Sequence, residues 1–226
     1  MSLKSLFERS GFALAPGRLA ADALDAARAE TDLLLTGSPL RGGERNCLPK
    51  SQYLRQLATV EAPAELAREV LGPLAQPIKL TIFDKTPGSN WKVPWHQDLT
   101  IAVQQRCDLR GYGPWSVKDG VLHVQPPENV LAQIVAVRLH LDETPPDNGA
   151  LRVLTGTHRL GRLAHPEIRA LRSRIPETVC AVPAGGAMLM SPLLLHASSA
   201  SQRPTRRRVL HFEYSSARLP GGLAWV

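Results

Sequence analysis

The chain predicts a mainly β fold, a sandwich or barrel of short antiparallel strands with helices packed outside it. Three observations carry that expectation. Short apolar stretches with the period-two alternation of strands begin near residue 77 and recur to residue 214. Turns rich in Gly, Pro, Asn and Asp, such as PPDNG (145–149) and PAGG (183–186), separate them. Helix-period patterning is concentrated before residue 77, so strand follows strand instead of alternating with helices, which argues against a βαβ sheet.

The elements follow in order. From Arg18 to Leu35, the apolar residues Leu19, Ala23, Leu24, Ala27 and Leu34 recur at three- and four-residue steps, one face of a helix. TGSPLRGGERNCLPK (36–50) is loop by composition. Pro63 opens a second short helix through AELAREVLG, and Gly72 with Pro73 stops it. PIKLTIFDK (77–85) alternates Ile78, Leu80 and Ile82 with Lys79, Thr81 and Phe83 and reads as a strand, followed by the turn TPGSN. Further strands are expected at 121–124, 131–142, 150–154, 178–182, 187–190 and 207–214, with one short helix at 166–174. GYGPWSVKDG (111–120) reads as a flexible loop, either a cover for a site or an exposed linker. There are no repeats, low-complexity segments or linkers. The expectation is one domain over 1–226: a mostly helical flank (1–76), a β core (77–214) and a C-terminal tail (215–226).

Composition excludes several classes. With 226 residues, 43% of them hydrophobic, the chain is long enough for a sizeable core and too apolar for disorder. No stretch of about 18 uncharged apolar residues suggests a membrane span. The opening MSLKSLFERSGFALAPG is broken by Glu8 and Arg9, so no secretory signal is expected. The three cysteines, Cys47, Cys107 and Cys180, form no CxxC pair or disulfide framework, which suits the cytoplasm. Net charge is +7, and the excess sits in six arginines from Arg152 to Arg174 and in Arg203, Arg206, Arg207 and Arg208. Aromatics are only 5%, and no basic run interleaves with Phe or Tyr. Nucleic-acid binding is therefore not expected, and a solvated basic face or a local site for a small anion is. Nothing in the sequence specifies an oligomeric state.

Seven histidines are candidates for chemistry, and His96 stands out in the triplet His96-Gln97-Asp98. In an extended segment, residues two apart point to one side, so an imidazole and a carboxylate could grip one metal ion. Ferrous iron in oxygenases takes two His and one carboxylate on one face. The third ligand must come from elsewhere in the chain. His196 follows the apolar run SPLLL, and Arg207 opens the strand RRVLHFEY eleven residues later. A buried arginine there suits one end of a dicarboxylic acid whose other end chelates the metal. His158 is the rival third ligand, but it follows a Gly-bounded turn and has no arginine at a matching offset.

With these residues in view, the chain resembles the phytanoyl-CoA dioxygenase family of Fe(II)- and 2-oxoglutarate-dependent oxygenases. The matching stretches are KTPGSNWKVPWHQD (85–98), LDETPPDNGALRVLTGTHRLG (141–161), VPAGGAMLMSPLLLHASSAS (182–201) and RRVLHFEY (207–214), with FERSGFALAPG (7–17) as an opening. The chain departs from the usual pattern in TGTH, where P-G-S-H is commoner, and in HAS, where H-G-S is. The resemblance implies a double-stranded β-helix, a jelly-roll or cupin-like core with flanking N-terminal α-helices. It implies His96, Asp98 and His196 as iron ligands and Arg207 as the partner of the distal carboxylate of 2-oxoglutarate. Ser198 and Thr81 fall where members place side chains against that cosubstrate. The implied reaction consumes O₂ and hydroxylates a small-molecule substrate, here expected to be anionic. A cupin-like metal-binding isomerase or binding module is the alternative.

Other residues keep two readings at this stage. Trp91 and Trp95 either line the pocket or pack. Arg138 and His140, on one strand face with Asp142, either meet the cavity or face outward, and Gln133 shares that ambiguity on the opposite face. The Arg152–Arg174 group is either a solvated face or a rim that attracts an anion.

Overall fold

The computed structural model describes residues 1–36, 42–203 and 205–226. It contains α1 (Leu3–Ser10), β1 (Phe12–Ala15), α2 (Ala21–Leu35), β2 (Gly43–Glu44), α3 (Gln52–Val60), α4 (Ala62–Leu71), β3 (Gln76–Lys85), β4 (Val93–His96) and β5 (Ile101–Ala102). Then follow β6 (Trp115–Lys118), β7 (Val121–Val124), α5 (Glu128–Leu131), β8 (Ile134–His140) and β9 (Leu151–Leu154). The last elements are α6 (His165–Arg172), β10 (Glu177–Cys180), β11 (Ala187–Met190), β12 (His196–Ser198) and β13 (Arg207–Ser215).

Among the described residues all strand pairing is antiparallel, in three sheets. The six-stranded sheet runs β1-β11-β8-β13-β3-β2, the four-stranded sheet β10-β9-β12-β4, and a small sheet β5-β7-β6. The fold is the mainly β jelly roll that the sequence pattern and the resemblance lead one to expect.

One face of the six-stranded sheet packs under the helices. Leu80 and Ile82 of β3, Val137 and Leu139 of β8, and Leu210, Phe212 and Tyr214 of β13 form one core with Ala27, Leu54, Leu57, Leu66 and Ala67. Each buried large apolar side chain there contributes roughly 1.5–3 kcal/mol. The Tyr214 hydroxyl donates to the Ala58 carbonyl at 2.9 Å, which ties α3 to the sheet. The opposite face meets the four-stranded sheet through Ala136, Met188 and Met190 against Leu151, Val153 and Cys180. Side chains alternate along a strand, so the residues between the apolar ones point into this inter-sheet space.

The structure adds to the expected elements. α1 and α3 are short helices whose start signals lie in single serines: Ser2 accepts from the Ser5 N–H, and Ser51 from the Leu54 N–H. The predicted strand 131–142 begins as the end of α5, and only Ile134–His140 pairs. The loop expected over 36–50 lies outside the described residues at 37–41. Its described remainder includes β2 and a 3₁₀ turn at Leu48–Lys50. The segment 111–120 is corrected: residues 115–118 form β6, paired with β7 from Trp115↔Val124 to Lys118↔Val121. Its alternating Trp-Ser-Val-Lys was masked by the flanking glycines and Pro114. Among the described residues, no helix is long and apolar enough to cross a membrane.

Candidate metal centre and anion pocket

Two short strands of the four-stranded sheet bring the histidines together. β4 and β12 pair with His196 opposite His96, and the ring centroids lie 4.2 Å apart. Pro94, in the middle of β4, is tolerated because β4 is the edge strand and needs no second ladder. Asp98 lies just beyond β4. Its carboxylate oxygens are 3.6 Å from His96 Nε2 and 3.6 Å from His196 Nε2. Ligand atoms of the three residues all lie within 4.8 Å of one another.

Backbone carbonyls set both imidazoles. His96 Nδ1 is 2.9 Å from the Pro94 carbonyl, and His196 Nδ1 is 2.9 Å from the Leu194 carbonyl. A carbonyl only accepts, so Nδ1 carries the proton in each ring and Nε2 presents a lone pair to the carboxylate. Distances of 3.6 Å exceed hydrogen-bond range. Three acceptors thus converge without a shared proton, the donor arrangement a divalent cation satisfies. Burial pushes the His196 pKa down to about 4, which favours the neutral ligand form. Burial also works against charge on His96, but Asp98 outweighs it and raises that pKa. The depth of the site opposes the Asp98 charge, yet either imidazole, when protonated, holds its carboxyl below the usual carboxylate range, His196 more than His96.

Neighbouring side chains fix this geometry. Gln97, between the two ligands, points the other way and is 8% exposed. It donates to the carbonyls of Gly161 (2.8 Å) and Leu193 (2.7 Å) and accepts from the Leu163 N–H (2.9 Å). Thr157 donates to the Leu154 carbonyl and accepts from the Leu195 N–H at 3.0 Å, next to His196. The sequence marked both residues only as parts of motifs. The signal for Gln97 was its parity: the central residue of an extended H-x-D faces away from the metal.

A cavity of about 570 Å³ opens over the triad, within the usual range for small-ligand sites. The inner face of β3 supplies Lys79, Thr81, Phe83 and Lys85, and β13 supplies Arg207, His211 and Glu213. This face alternates with the helix-packed face, so the polar half of PIKLTIFDK points into the molecule instead of into solvent. Ser198, Thr81 and Arg207 all line the cavity.

Arg207 is 3% exposed and donates to the Gly149 carbonyl at 2.6 Å. Its Nε has no partner, and no carboxylate pairs with it among the described residues. Burial lowers its pKa. Two further cations share this condition. Lys85, 1% exposed, donates to the Ser199 carbonyl at 2.6 Å and reaches Ser198 Oγ at 3.4 Å. Burial and then Arg207 and Arg138 push it down to about 8. Arg138 donates to His211 Nδ1 at 2.9 Å, its Nε is unpartnered, and burial lowers its pKa. Gly149 permits this crowding. It has φ +67°, and a Cβ there would lie 2.8 Å from the Ser199 carbonyl oxygen and 3.1 Å from Lys85 Nζ. That is the physical reason for the glycine in the N-G-A-L-R-V stretch.

The remaining candidates sort cleanly. His158 is remote from the triad; its Nε2 lies 3.2 Å from the Glu8 carbonyl and braces its turn. Trp91 lines the cavity with Lys85 Nζ 5.3 Å from its ring, whereas Trp95 packs between Arg152 and Arg172. Arg138 faces the cavity. His140 is buried with its Nδ1 2.7 Å from Thr144 Oγ1. Asp142, past the end of β8, leaves their face and pairs with Arg208 at 2.8 Å. Gln133 is outside the cavity and donates to Asn129. The Arg152–Arg174 group is not a rim: Arg152 pairs with Glu177, Arg159 donates to the carbonyls of Glu8 and Arg9, Arg162 donates to that of Pro126, and none lines the cavity. Lys85 and His211 were not singled out from the sequence, and Arg138 carried two readings there; their inward parity on β3, β13 and β8 was the available signal.

The family profile of phytanoyl-CoA dioxygenase (PhyH) matches residues 7–209. The chain belongs to this family. It is thereby an enzyme of the non-haem iron, 2-oxoglutarate-dependent class. No curated protein matches the chain by sequence. Solved structures share its fold. The non-heme alpha ketoglutarate dependent epimerase SnoN from nogalamycin biosynthesis is 18% identical, with a TM-score of 0.72 over 94% of this chain and 81% of that one. That epimerase has also been solved with Fe3+, alpha ketoglutarate and nogalamycin RO. AviO1 from Streptomyces viridochromogenes Tue57 is 24% identical, with a TM-score of 0.67 over 97% of this chain and 96% of that one. EctD from S. alaskensis is 18% identical, with a TM-score of 0.70 over 94% and 75%.

Proposed function

We propose that the protein is an Fe(II)/2-oxoglutarate-dependent oxygenase that hydroxylates a small anionic molecule in the cytoplasm. The observation that carries this reading is the pairing of two sites in one cavity: a two-His, one-carboxylate donor set and buried cations with no carboxylate paired to them among the described residues. His96, Asp98 and His196 would hold ferrous iron through both Nε2 atoms and the carboxylate. Two neutral imidazoles and one carboxylate leave net positive charge on a divalent ion, which favours an anionic chelator. With 2-oxoglutarate and O₂ bound, such an iron supplies oxidative decarboxylation to succinate and CO₂, with the second oxygen atom inserted into a substrate C–H bond.

The chain's own residues bind, orient and exclude water. Arg207 takes the distal carboxylate in the bidentate geometry its guanidinium favours, and Lys85 adds a second charge beside it. Ser198, 3.4 Å from Lys85, and Thr81 add hydroxyls to the cavity lining from the two facing sheets. Gln97 and the two backbone carbonyls keep the ligand atoms aimed. Leu151, Val93 and Phe83 make the cavity partly apolar, which strengthens each charge interaction inside it.

Succinate release from 2-oxoglutarate, with ferrous iron under air, tests the reading. His96→Ala and Asp98→Ala are each expected to abolish it, because each leaves the metal two protein ligands. Activity that survives in both variants would sink the metal assignment.

A further inference from the structure

The cavity has a second polar end that the iron and its cosubstrate do not use. Lys85 pairs in register with Arg207, and Lys79 with Glu213. Six residues along β3 separate the two ends, roughly 20 Å of strand. A five-carbon dicarboxylate held at Arg207 therefore leaves the Lys79 end to another ligand.

That end is closed by the small sheet. β6 and β7 pair Ser116↔His123 and Lys118↔Val121, so Lys118 and His123 share one face, and Gln125 continues it two residues on. All three line the cavity. Lys118 Nζ donates to Thr100 Oγ1 at 2.8 Å, two residues beyond Asp98, and no carboxylate pairs with it among the described residues. The other cations at this end are matched: Lys79 by Glu213 at 2.7 Å and Arg45 by Asp119 at 2.7 Å. Among the described residues Lys118, an exposed side chain at the mouth of this end, is left as the cation without a paired carboxylate.

His123 adds a directional group. It is 1% exposed, and its Nδ1 lies 2.9 Å from the Val121 carbonyl, so Nδ1 carries the proton. Nε2 is then an acceptor, buried and without a partner. Burial, together with Lys79 and Lys118, lowers its pKa and keeps the ring neutral. A buried unsatisfied acceptor on a cavity wall calls for a donor from the ligand.

We propose that Lys118, His123 and Gln125 form the subsite of the primary substrate, and that it takes a small organic anion carrying a hydroxyl or N–H group. Lys118 binds the carboxylate or phosphate ester, and His123 Nε2 accepts from the hydroxyl or N–H. The inference rests on the oxygenase reading for its setting and names the substrate class within it.

The test uses the full chain with ferrous iron and saturating 2-oxoglutarate under nitrogen, titrated calorimetrically with matched probes. These are small hydroxy and amino carboxylates, hydroxyalkyl phosphates, and the neutral amide or alcohol of each. An anionic probe is expected to bind at least about tenfold more tightly than its neutral partner. Lys118→Met is expected to erase that preference, Lys118→Arg to retain it, and His123→Phe to weaken only probes with a hydroxyl or N–H. The carboxylate and phosphate arms identify which anion is preferred. Equal binding of charged and neutral probes, or a preference intact in Lys118→Met, overturns the inference. The same probes are then scored for stimulated succinate release under air. Charge-selective binding without any succinate overturns the oxygenase reading and leaves the subsite standing; succinate release without charge selectivity does the reverse.

Discussion

Arg206 and Arg208 differ from Arg207 by one position in the chain and by almost everything else. Arg206 and Arg208 share the outer side of the sheet. Arg206 reaches Asp84 at 2.8 Å and Asp32 at 2.6 Å; Arg208 reaches Asp142 at 2.8 Å and Asp32 at 3.0 Å. Arg207 faces inward and has a carbonyl, not a carboxylate. One residue type at three successive positions is ion-paired on one face of the sheet and, among the described residues, has no carboxylate on the other. Compensated charge ties elements together, here α2 to β3 and β13. Uncompensated charge held under a sheet opposes folding until an anion arrives, so it marks a binding site.

The largest effect expected from this contrast is at Arg207. Arg207→Met removes a two-pronged charged contact, and 2-oxoglutarate affinity should fall at least about 100-fold. Calorimetry under nitrogen with ferrous iron reads it. Arg206→Met should bind 2-oxoglutarate as the parent does, and a loss there would break the inner–outer distinction.

Arg208→Ala should instead lower stability, by about 2 kcal/mol. The pair sits between buried and exposed, with side chains 11% and 17% exposed, so the loss falls between the values for those extremes. Urea unfolding measures it. Much of the loss should disappear as the pH falls below 3.8 and through the folded pKa of Asp142. Burial opposes charge on Asp142, but Arg208 outweighs it and holds its carboxyl below the ordinary value. The stability from a depressed carboxyl is present above the unfolded pKa of 3.8 and is lost as pH falls through the folded one.

The smallest effect is a pH slope. Lys85, pushed down to about 8, is charged below that pH and neutral above it. Its attraction for an anion is therefore present at pH 7 and lost as pH rises. The dissociation constant of 2-oxoglutarate should increase up to about tenfold per pH unit above 8. Lys85→Met should flatten that slope; a slope unchanged in the variant would remove Lys85 from the anion site.

The same comparison shows what the sequence made legible. Period-two alternation in PIKLTIFDK and RRVLHFEY located the two long strands, and the H-x-D triplet with the distal His196 located the converging donors. Parity alone placed Lys79, Thr81, Phe83 and Lys85 on one face. It could not say that this face looks into a cavity, because that depends on the second sheet, whose strands β4 and β12 are four and three residues long. The charge of Arg206 and Arg208 looked like simple exposure, since Asp32, Asp84 and Asp142 come from distant segments. β6 was hidden because its pattern is four residues long between turn residues. The same short span carries Lys118 into the cavity.

The central claim is that one cavity holds iron at His96, Asp98 and His196 and 2-oxoglutarate beside it at Arg207. Ferrous iron bound to a 2-oxo acid absorbs visible light through charge transfer, and neither component does so alone. Titrating the ferrous protein with 2-oxoglutarate under nitrogen should produce that band in the parent chain and not in Asp98→Ala. No band in the parent, or an undiminished band in the variant, would contradict the account.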